Sequence, residues 1–294
     1  MKDAKYALLV LGFCVIWSSA FAAGKLGLAD SPPLTYLTLR FLAAGLTLTA
    51  ILTALGGFKG LTGRELALLA LLGLLNNALY LGLVFVGMTR LPSGLMTLIV
   101  SANPVLTALL AAPVLGERLT ARKLAGLALG VAGVAVIVRQ RLAVGDDAGG
   151  MAMAVGALVS LVAGTIVFKR VGLSRSVLEA NALMVLAAGL ALAPVAMLVE
   201  DVGSVRATAD LAASLAWTAV VVSVGGYALW FHLLRAGSAT EASAYHFLMP
   251  PLGLVFGWAA LDEAVHWPDL AGLVPIAVGI HLGTRPAVKA PCRS

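Results

Sequence analysis

Charge is scarce in this chain. Asp, Glu, Lys and Arg make up 12% of 294 residues, against 61% hydrophobic residues and a mean hydropathy of +1.00. A water-soluble domain of this size carries about twice that charge, so a soluble globular reading is excluded. Cysteine is nearly absent: Cys14 and Cys292 offer neither a disulfide framework nor, with no Cys/His ligand spacing anywhere, a metal site. No Gly-rich phosphate loop of the G-x-x-x-x-G-K-[ST] type occurs, so ATP does not drive the protein. No cofactor is expected. The formal charge of +6 does not make a nucleic-acid surface, because the basic residues sit at the ends of apolar blocks rather than in one patch. A nucleophile, metal cluster or carboxylate pair at membrane depth, which a membrane enzyme would use, is also missing.

What the chain has is long apolar runs. A bilayer core about 30 Å thick takes roughly 20 apolar residues per helix. Ten blocks fit: Tyr6–Gly24, Leu34–Leu55, Leu66–Met88, Leu91–Leu115, Ala121–Val138, Met151–Phe168, Leu178–Val199, Leu211–Leu234, Ala239–Leu261 and Pro268–Thr284. The last is short and interrupted by Pro275. The blocks are continuous rather than alternating, which predicts an all-α integral membrane protein and not a barrel. Lys2 and Lys5 before the first block and Ala20-Phe21-Ala22 within it mimic a signal peptide. The length of that block, with nine more after it, favours an uncleaved first helix.

Basic residues then orient the spans. Cytoplasmic loops collect Lys and Arg. With the N-terminus inside, the inner segments hold fourteen of the 20 basic residues, among them Lys59, Arg64, Arg118, Arg122, Lys123, Lys169, Arg170 and Arg175. The outer segments hold Lys25, Arg90, Arg139, Arg141 and Arg206, and Arg40 lies inside a block. The bias puts both termini in the cytoplasm, which an even number of spans requires.

The chain also repeats itself. Shifted by about 146 residues, Leu124-Ala125-Gly126-Leu127 falls on Leu270-Ala271-Gly272-Leu273, Pro104 on Pro250, Glu117 on Glu263, Phe85 on Phe231 and Gly133 on Gly279. Leu and Ala matches mean little in such a chain; the proline and glutamate matches are rarer. Matching helices are five spans apart, an odd number, so they run in opposite directions. The expectation is an inverted 5+5 repeat: a first five-helix unit over 1–141, an outer linker over 142–150, a second unit over 151–285 and a cytoplasmic tail over 286–294. Two such units have two nearly equivalent packings, one open to each side, with a substrate site near the midplane between them.

At this point the sequence resembles a known group. The features are Trp17-Ser18-Ser19-Ala20-Phe21, then Pro33…Leu39-Arg40-Phe41, and Pro104…Gly116-Glu117-Arg118…Gly126…Gly133 echoed by Pro250…Asp262-Glu263…Gly272…Gly279. Over essentially the whole chain it resembles the drug/metabolite transporter superfamily and its bacterial EamA-type permeases. The resemblance implies an inner-membrane, multi-pass exporter of small metabolites, similar in overall look to the aromatic amino acid exporters. The second half departs from the pattern. Asp262 stands where the first half has Gly116, and no arginine follows Glu263. Glu117 reads as structural.

Polar groups inside a bilayer must pair or line a cavity. Those at depth are Trp17, Asn77, Tyr80, Ser101, Asn103, Tyr227, Trp230, Ser243, Tyr245 and His246, and they are the candidate substrate-binding residues. Spacing of three or four residues puts Asn77 with Tyr80, Thr97 with Ser101, Tyr227 with Trp230, and Ser243 with His246 on shared helix faces. Against this stand blander roles: a membrane serine bonding its own backbone, an aromatic in the interfacial belt, as for Trp267, or a histidine that only packs. Arg40, about two turns into the second block, reads as a structural residue that snorkels to the outer face, with attraction of a carboxylate as the alternative. Pro104, Pro250 and Pro251 at mid-depth are candidate hinges. The small-residue faces Gly126/Gly130 and Gly253/Gly257 permit close approach.

No carboxylate lies at the midplane, which leaves His246 as the deep titratable group. Facilitated diffusion is favoured over coupling through it. A neutral, hydroxyl- and amide-bearing site suits a zwitterion, and aromatic walls suit an aromatic or apolar side chain. The expected function is export of neutral, chiefly aromatic, amino acids or related metabolites by alternating access. The alternatives are export of quaternary ammonium drugs, which the same walls would hold by cation–π attraction, or a membrane-embedded lipid-handling enzyme. The expected partners are a small-molecule substrate and the lipid bilayer, and ten helices can complete a pathway in a monomer.

Overall fold

The structure is a computed structural model that describes residues 4–117, 119–143, 147–172, 175–265 and positions 267, 274, 275, 278, 279 and 282. Arg118, most of the block Pro268–Thr284 and the tail with Cys292 lie outside the described residues.

The apolar blocks become helices: α1 (Ala4–Leu28), α2 (Pro33–Ala54), α3 (Gly63–Met88), α4 in two segments (Ser93–Val100 and Asn103–Leu115), α5 (Ala121–Ala143), α6 (Ala148–Val171), α7 (Val177–Val199), α8 (Ala209–Ala236) and α9 (Ala239–Leu261). The described residues contain no strand. Seven of these helices (all but α4 and α5) are long and apolar enough to cross a membrane, so the protein is multi-pass and all-helical. Local chemistry sets the starts. Capping boxes open α3 (Thr62 with Glu65) and α9 (Ser238 with Glu241), and the Asp147 carboxylate accepts from the Gly150 amide at the start of α6. That amide bond holds the Asp147 carboxyl below the usual carboxylate range. Pro33 occupies the first turn of α2, where a missing N–H costs nothing.

The departure from the motif at Asp262 has a conformational explanation. Gly116 ends α4 in the left-handed region at φ 69°, and Asp262 ends α9 in the same region at φ 52°. Aspartate is one of the few L residues that enters this region readily. The second half keeps the turn and changes the residue that makes it.

Helices at equivalent repeat positions run antiparallel. At one end of the α2–α7 pair, Glu200 after α7 accepts hydrogen bonds from the Leu34 and Thr35 amides at the start of α2 (2.9 and 2.8 Å). At the other end, Glu179 at the start of α7 accepts from the Phe58 amide just past α2 (2.9 Å). Their axes cross closely: a Cβ on Gly45 would lie 2.7 Å from the Leu186 backbone, and one on Gly189 would lie 3.0 Å from the Leu42 amide. The packing obeys the same exchange. α1 packs on α8 and α9, while its counterpart α6 packs on α3 and α4.

Four of the helices are not uniform. α3 carries a π-helical stretch at Leu74–Leu79 and α8 carries one at Trp217–Gly226. The two coincide under the 146-residue shift. α4 breaks at Ser101-Ala102, and α9 tightens into a 3-10 turn at Tyr245–Leu248, again at equivalent positions. Pro104 and Pro250 each stand in the first turn of the helical segment that follows the break. The sequence predicts an unbroken fourth helix; the structure has two shorter segments, because a helix can restart at a proline but cannot donate through one.

Candidate functional site: a buried aromatic and polar cavity

The π stretches explain how polar atoms reach the middle of the bundle. Widening a helix releases carbonyls from their usual partners, and such bulges recur at functional sites. Here carbonyls within the π stretches also bond across the bundle. Tyr227 donates its hydroxyl to the Asn76 carbonyl (2.9 Å), Ser160 to that of Leu75 (2.8 Å), and the Asn181 side-chain amide to that of Ser223 (2.7 Å). Each bond links one half of the chain to the other, except Asn181–Ser223, which ties α7 to α8.

Trp17, Phe21, Arg40, Tyr80, Val84, Phe85 and Tyr227 enclose a cavity of about 10 Å³, the room of roughly one water. Aromatic rings continue from it. Trp17 meets Tyr227 at 4.9 Å and Trp230 at 6.2 Å between centroids, Phe13 stacks on Trp230 at 5.4 Å, and His246 stands edge-on to Trp230 at 4.8 Å. These are offset and T-shaped contacts, the favourable ones for aromatic pairs. The Tyr80 hydroxyl lies beside the Trp17 indole.

Several polar atoms here have no hydrogen-bond partner among the described residues: Trp230 Nε1, His246 Nε2, Ser243 Oγ, Arg40 Nη1 and both side-chain amide atoms of Asn76 and Asn77. Most buried polar groups are satisfied, so this concentration stands out among the described residues. Asn76 lies against Gly164 of α6, where a Cβ would come within 2.5 Å of its amide.

Both ends of the bundle are tied shut by matching sets of contacts. At one end the Glu263 carboxylate accepts from the Ser93 amide (2.9 Å), the Ser93 hydroxyl (2.9 Å) and the Gly94 amide (3.1 Å) at the start of α4. At the other, Glu117 accepts from the Ala239 amide (2.7 Å), the Thr240 amide (3.2 Å) and the Thr240 hydroxyl (2.6 Å) at the start of α9. Ser93 and Gly94 fall on Ala239 and Thr240 under the shift that brings Glu117 onto Glu263. A lysine joins each end. Lys25 donates to the Met88 and Leu91 carbonyls (2.7 and 2.6 Å), and Lys169 donates to the Gly237 carbonyl. A carboxylate on the amides of a helix N-terminus also meets the positive end of the helix dipole. The structural role expected of Glu117 is thereby specific: it ties the end of α4 to the start of α9.

Of the residues singled out by depth, the structure brings Trp17, Tyr80, Tyr227, Trp230 and His246 together. Asn77 is fully buried one turn before Tyr80. Ser243 holds the His246 ring through its carbonyl (3.1 Å). Three residues stand apart. Ser101 bonds the Thr97 carbonyl of its own helix (2.7 Å), and Asn103 accepts from Thr107 one turn on (2.8 Å). Tyr245 is half-buried and pairs with the Tyr6 hydroxyl (3.2 Å). Arg40 does not snorkel. Its side chain is 1% exposed, because α2 is flanked by α7 and α8 and the guanidinium turns inward to Ser223. Depth counting places Arg40 near a helix end; the inward turn is a tertiary fact that no local pattern carries. Phe13, Asn181 and Ser223 complete the site. Phe13 and Asn181 give no sequence signal beyond membership of an apolar run, whereas Ser223 is the repeat partner of Asn77.

Comparison with known proteins is consistent along the whole chain. The profile of the EamA-like transporter family matches residues 4–139 and again 148–284. An "Uncharacterized transporter YvbV" of Bacillus subtilis is 32% identical over 288 residues, covering 96% of this chain and 92% of that one. A "Probable amino-acid metabolite efflux pump" of Escherichia coli is 30% identical over 305 residues, covering 98% of each. A "Probable terminal-alkyne amino-acid exporter" of Streptantibioticus cattleyicolor is 29% identical over 291 residues, covering 95% of this chain and 92% of that one. A solved crystal structure, described only as that of a protein, superposes with a TM-score of 0.74 at 20% identity over 96% of this chain and 97% of that one, a likeness of fold.

Proposed function

The chain belongs to the EamA-like transporter family, and from that premise we propose that it is a secondary transporter exporting neutral, chiefly aromatic, amino acids or closely related metabolites across the bacterial inner membrane by alternating access. The observation that carries the reading is the aromatic cavity of Trp17, Tyr80 and Tyr227, flanked by Trp230 and His246, at the junction of the two halves. Aromatic walls and unpartnered amide, hydroxyl and indole groups suit an amphiphilic, hydrogen-bonding cargo with a flat or apolar side chain. Two relatives, at 30% and 29% identity, are described as handling amino-acid metabolites or an amino acid.

In this reading ten spans form two inverted units, over 1–141 and 151–285, with both termini cytoplasmic. The Glu263–Ser93 and Glu117–Ala239 clamps close the two ends, and transport requires one to open while the other holds. The breaks before Pro104 and at Tyr245–Leu248, with Pro250 and Pro251 after it, are where α4 and α9 bend. No carboxylate lines the cavity, so flux runs down the cargo gradient, with His246 the residue through which a proton gradient would act. A quaternary ammonium cargo also suits aromatic walls, but the Arg40 guanidinium in the same cavity repels a cation. A lipid-handling enzyme finds no support among relatives that are described as transporters, efflux pumps and an exporter.

The test is flux in proteoliposomes. Labelled phenylalanine, tryptophan and leucine, with methyl viologen as the cationic control, are followed with and without a pH gradient. Accelerated flux of the amino acids, abolished by Trp17→Ala, supports the reading. Flux of methyl viologen alone, or of nothing, contradicts it.

A further inference from the structure

Arg40 is the unusual group in this molecule. It lies in an apolar helix and is 1% exposed, and among the described residues the ionisable groups near enough to act on it are the phenols of Tyr36, Tyr80 and Tyr227, none of them a carboxylate. A charge taken out of water without a counter-ion is costly and survives where something else answers it. The Phe41 ring, 5.3 Å from the guanidinium carbon, answers part of it.

Its geometry is prepared rather than incidental. Arg40 Nε donates to Ser223 Oγ at 2.9 Å. That oxygen is oriented because its own hydroxyl donates to the Thr218 carbonyl at 2.9 Å, a bond spanning five residues that exists because α8 is π-helical here. The Asn181 amide fixes the Ser223 carbonyl from the other side. One edge of the guanidinium is thus tethered. Nη1, on the rest of the fork, is buried with no partner among the described residues, and the side chain lines the cavity together with Trp17, Tyr80 and Tyr227. A planar fork held this way matches a carboxylate, which can take two parallel hydrogen bonds from it.

We propose that Arg40 is the carboxylate receptor of the central cavity, held in register by Ser223 and Asn181, and that it makes a free carboxylate a requirement of the cargo. The inference rests on the amino-acid reading above and sharpens it. The aromatic walls take the side chain, Arg40 takes the carboxylate, and analogues lacking that charge are rejected.

The test compares acid and amide pairs on the purified full-length protein: phenylalanine against phenylalaninamide, and leucine against leucinamide, by calorimetry. The wild type is expected to bind each acid at least roughly tenfold more tightly than its amide. Arg40→Gln erases that preference, so that acid and amide bind alike. Ser223→Ala keeps the charge but frees the tether, and it lowers the preference severalfold; this variant and the wild-type comparison decide the matter if Arg40→Gln fails to fold. Equal binding of acid and amide by the wild type, or an unchanged preference in Arg40→Gln, overturns the inference while leaving aromatic amino-acid export standing. Binding of neither acid nor amide by the wild type overturns the cargo reading and the inference together.

Discussion

Tyr227 shows how single residues in this protein serve two ends. Its ring stands 4.9 Å from that of Trp17, and its hydroxyl closes on a carbonyl released by the π stretch of α3. Tyr227→Phe keeps the ring and loses the bond, leaving a buried carbonyl unanswered, at a cost of about 1–3 kcal/mol. The expected outcome in a thermal unfolding series is a lowered Tm with aromatic binding largely retained; unchanged stability would show that the bond contributes nothing. Asp262 offers the converse. Glycine enters the left-handed region without the penalty an L side chain carries there. Asp262→Gly is therefore expected to stabilise by about 0.5–1 kcal/mol, read as a higher Tm in the same series. At this scale the sequence is legible where chemistry and depth agree. Trp17, Tyr80, Tyr227, Trp230 and His246 stand out because a membrane tolerates such groups poorly without a reason. Ser101 and Asn103 look the same by depth, yet the Ser101 hydroxyl and the Asn103 side-chain oxygen each bond within one helical turn of their own helix. Arg40 was misplaced because depth along a helix says nothing about which way a long side chain turns.

Among the helices, the repeat governs what moves. α4 and α9 each combine a break, a proline restart and a carboxylate clamp at matching positions. Glu263→Gln weakens one clamp and Glu117→Gln the other, each by about 1 kcal/mol for a charge-assisted bond made neutral. The two substitutions should therefore shift the protein in opposite senses. Thiol labelling of cysteines introduced near Ser93 and near Ala239 reads this out: each variant raises labelling at its own end and lowers it at the other. Parallel changes at both ends would mean the clamps are mere staples. Pro104→Ala and Pro250→Ala should each slow flux, and full rates in both would remove the hinge from the account. The α2–α7 crossing is the fixed counterpart. Gly45→Leu drives a side chain into the Leu186 backbone, 2.7 Å from where its Cβ would sit, and should destabilise by about 1–3 kcal/mol, with loss of monodisperse protein in size-exclusion chromatography. Pro104 and Pro250 mark the breaks in the sequence, but the π stretches leave no mark there. A π turn needs no particular residue, and its evidence is a hydrogen-bond pattern rather than a composition.

For the molecule as a whole, the bilayer makes most of the fold readable. A solvent that forbids unpaired backbone groups leaves helices of fixed length as the solution for an apolar chain such as this. The duplication showed through two rare residues, Pro104 and Glu117 with their partners Pro250 and Glu263, in a background of Leu and Ala where matches carry little weight. The antiparallel contacts of α2 with α7 and α4 with α9 give that duplication its inverted geometry. In the proposed function, two structural halves with a cavity between them and a matching clamp at each end work by opening one end at a time. Cross-linking tests this most directly. Cysteine pairs replacing Ser93 with Glu263, and Ala239 with Glu117, are bridged by a reducible bifunctional thiol reagent in a Cys292→Ser background, and phenylalanine efflux from proteoliposomes is measured. The account predicts that a bridge at either end alone stops flux and that reduction restores it. Undiminished flux with both ends bridged would contradict alternating access through this cavity.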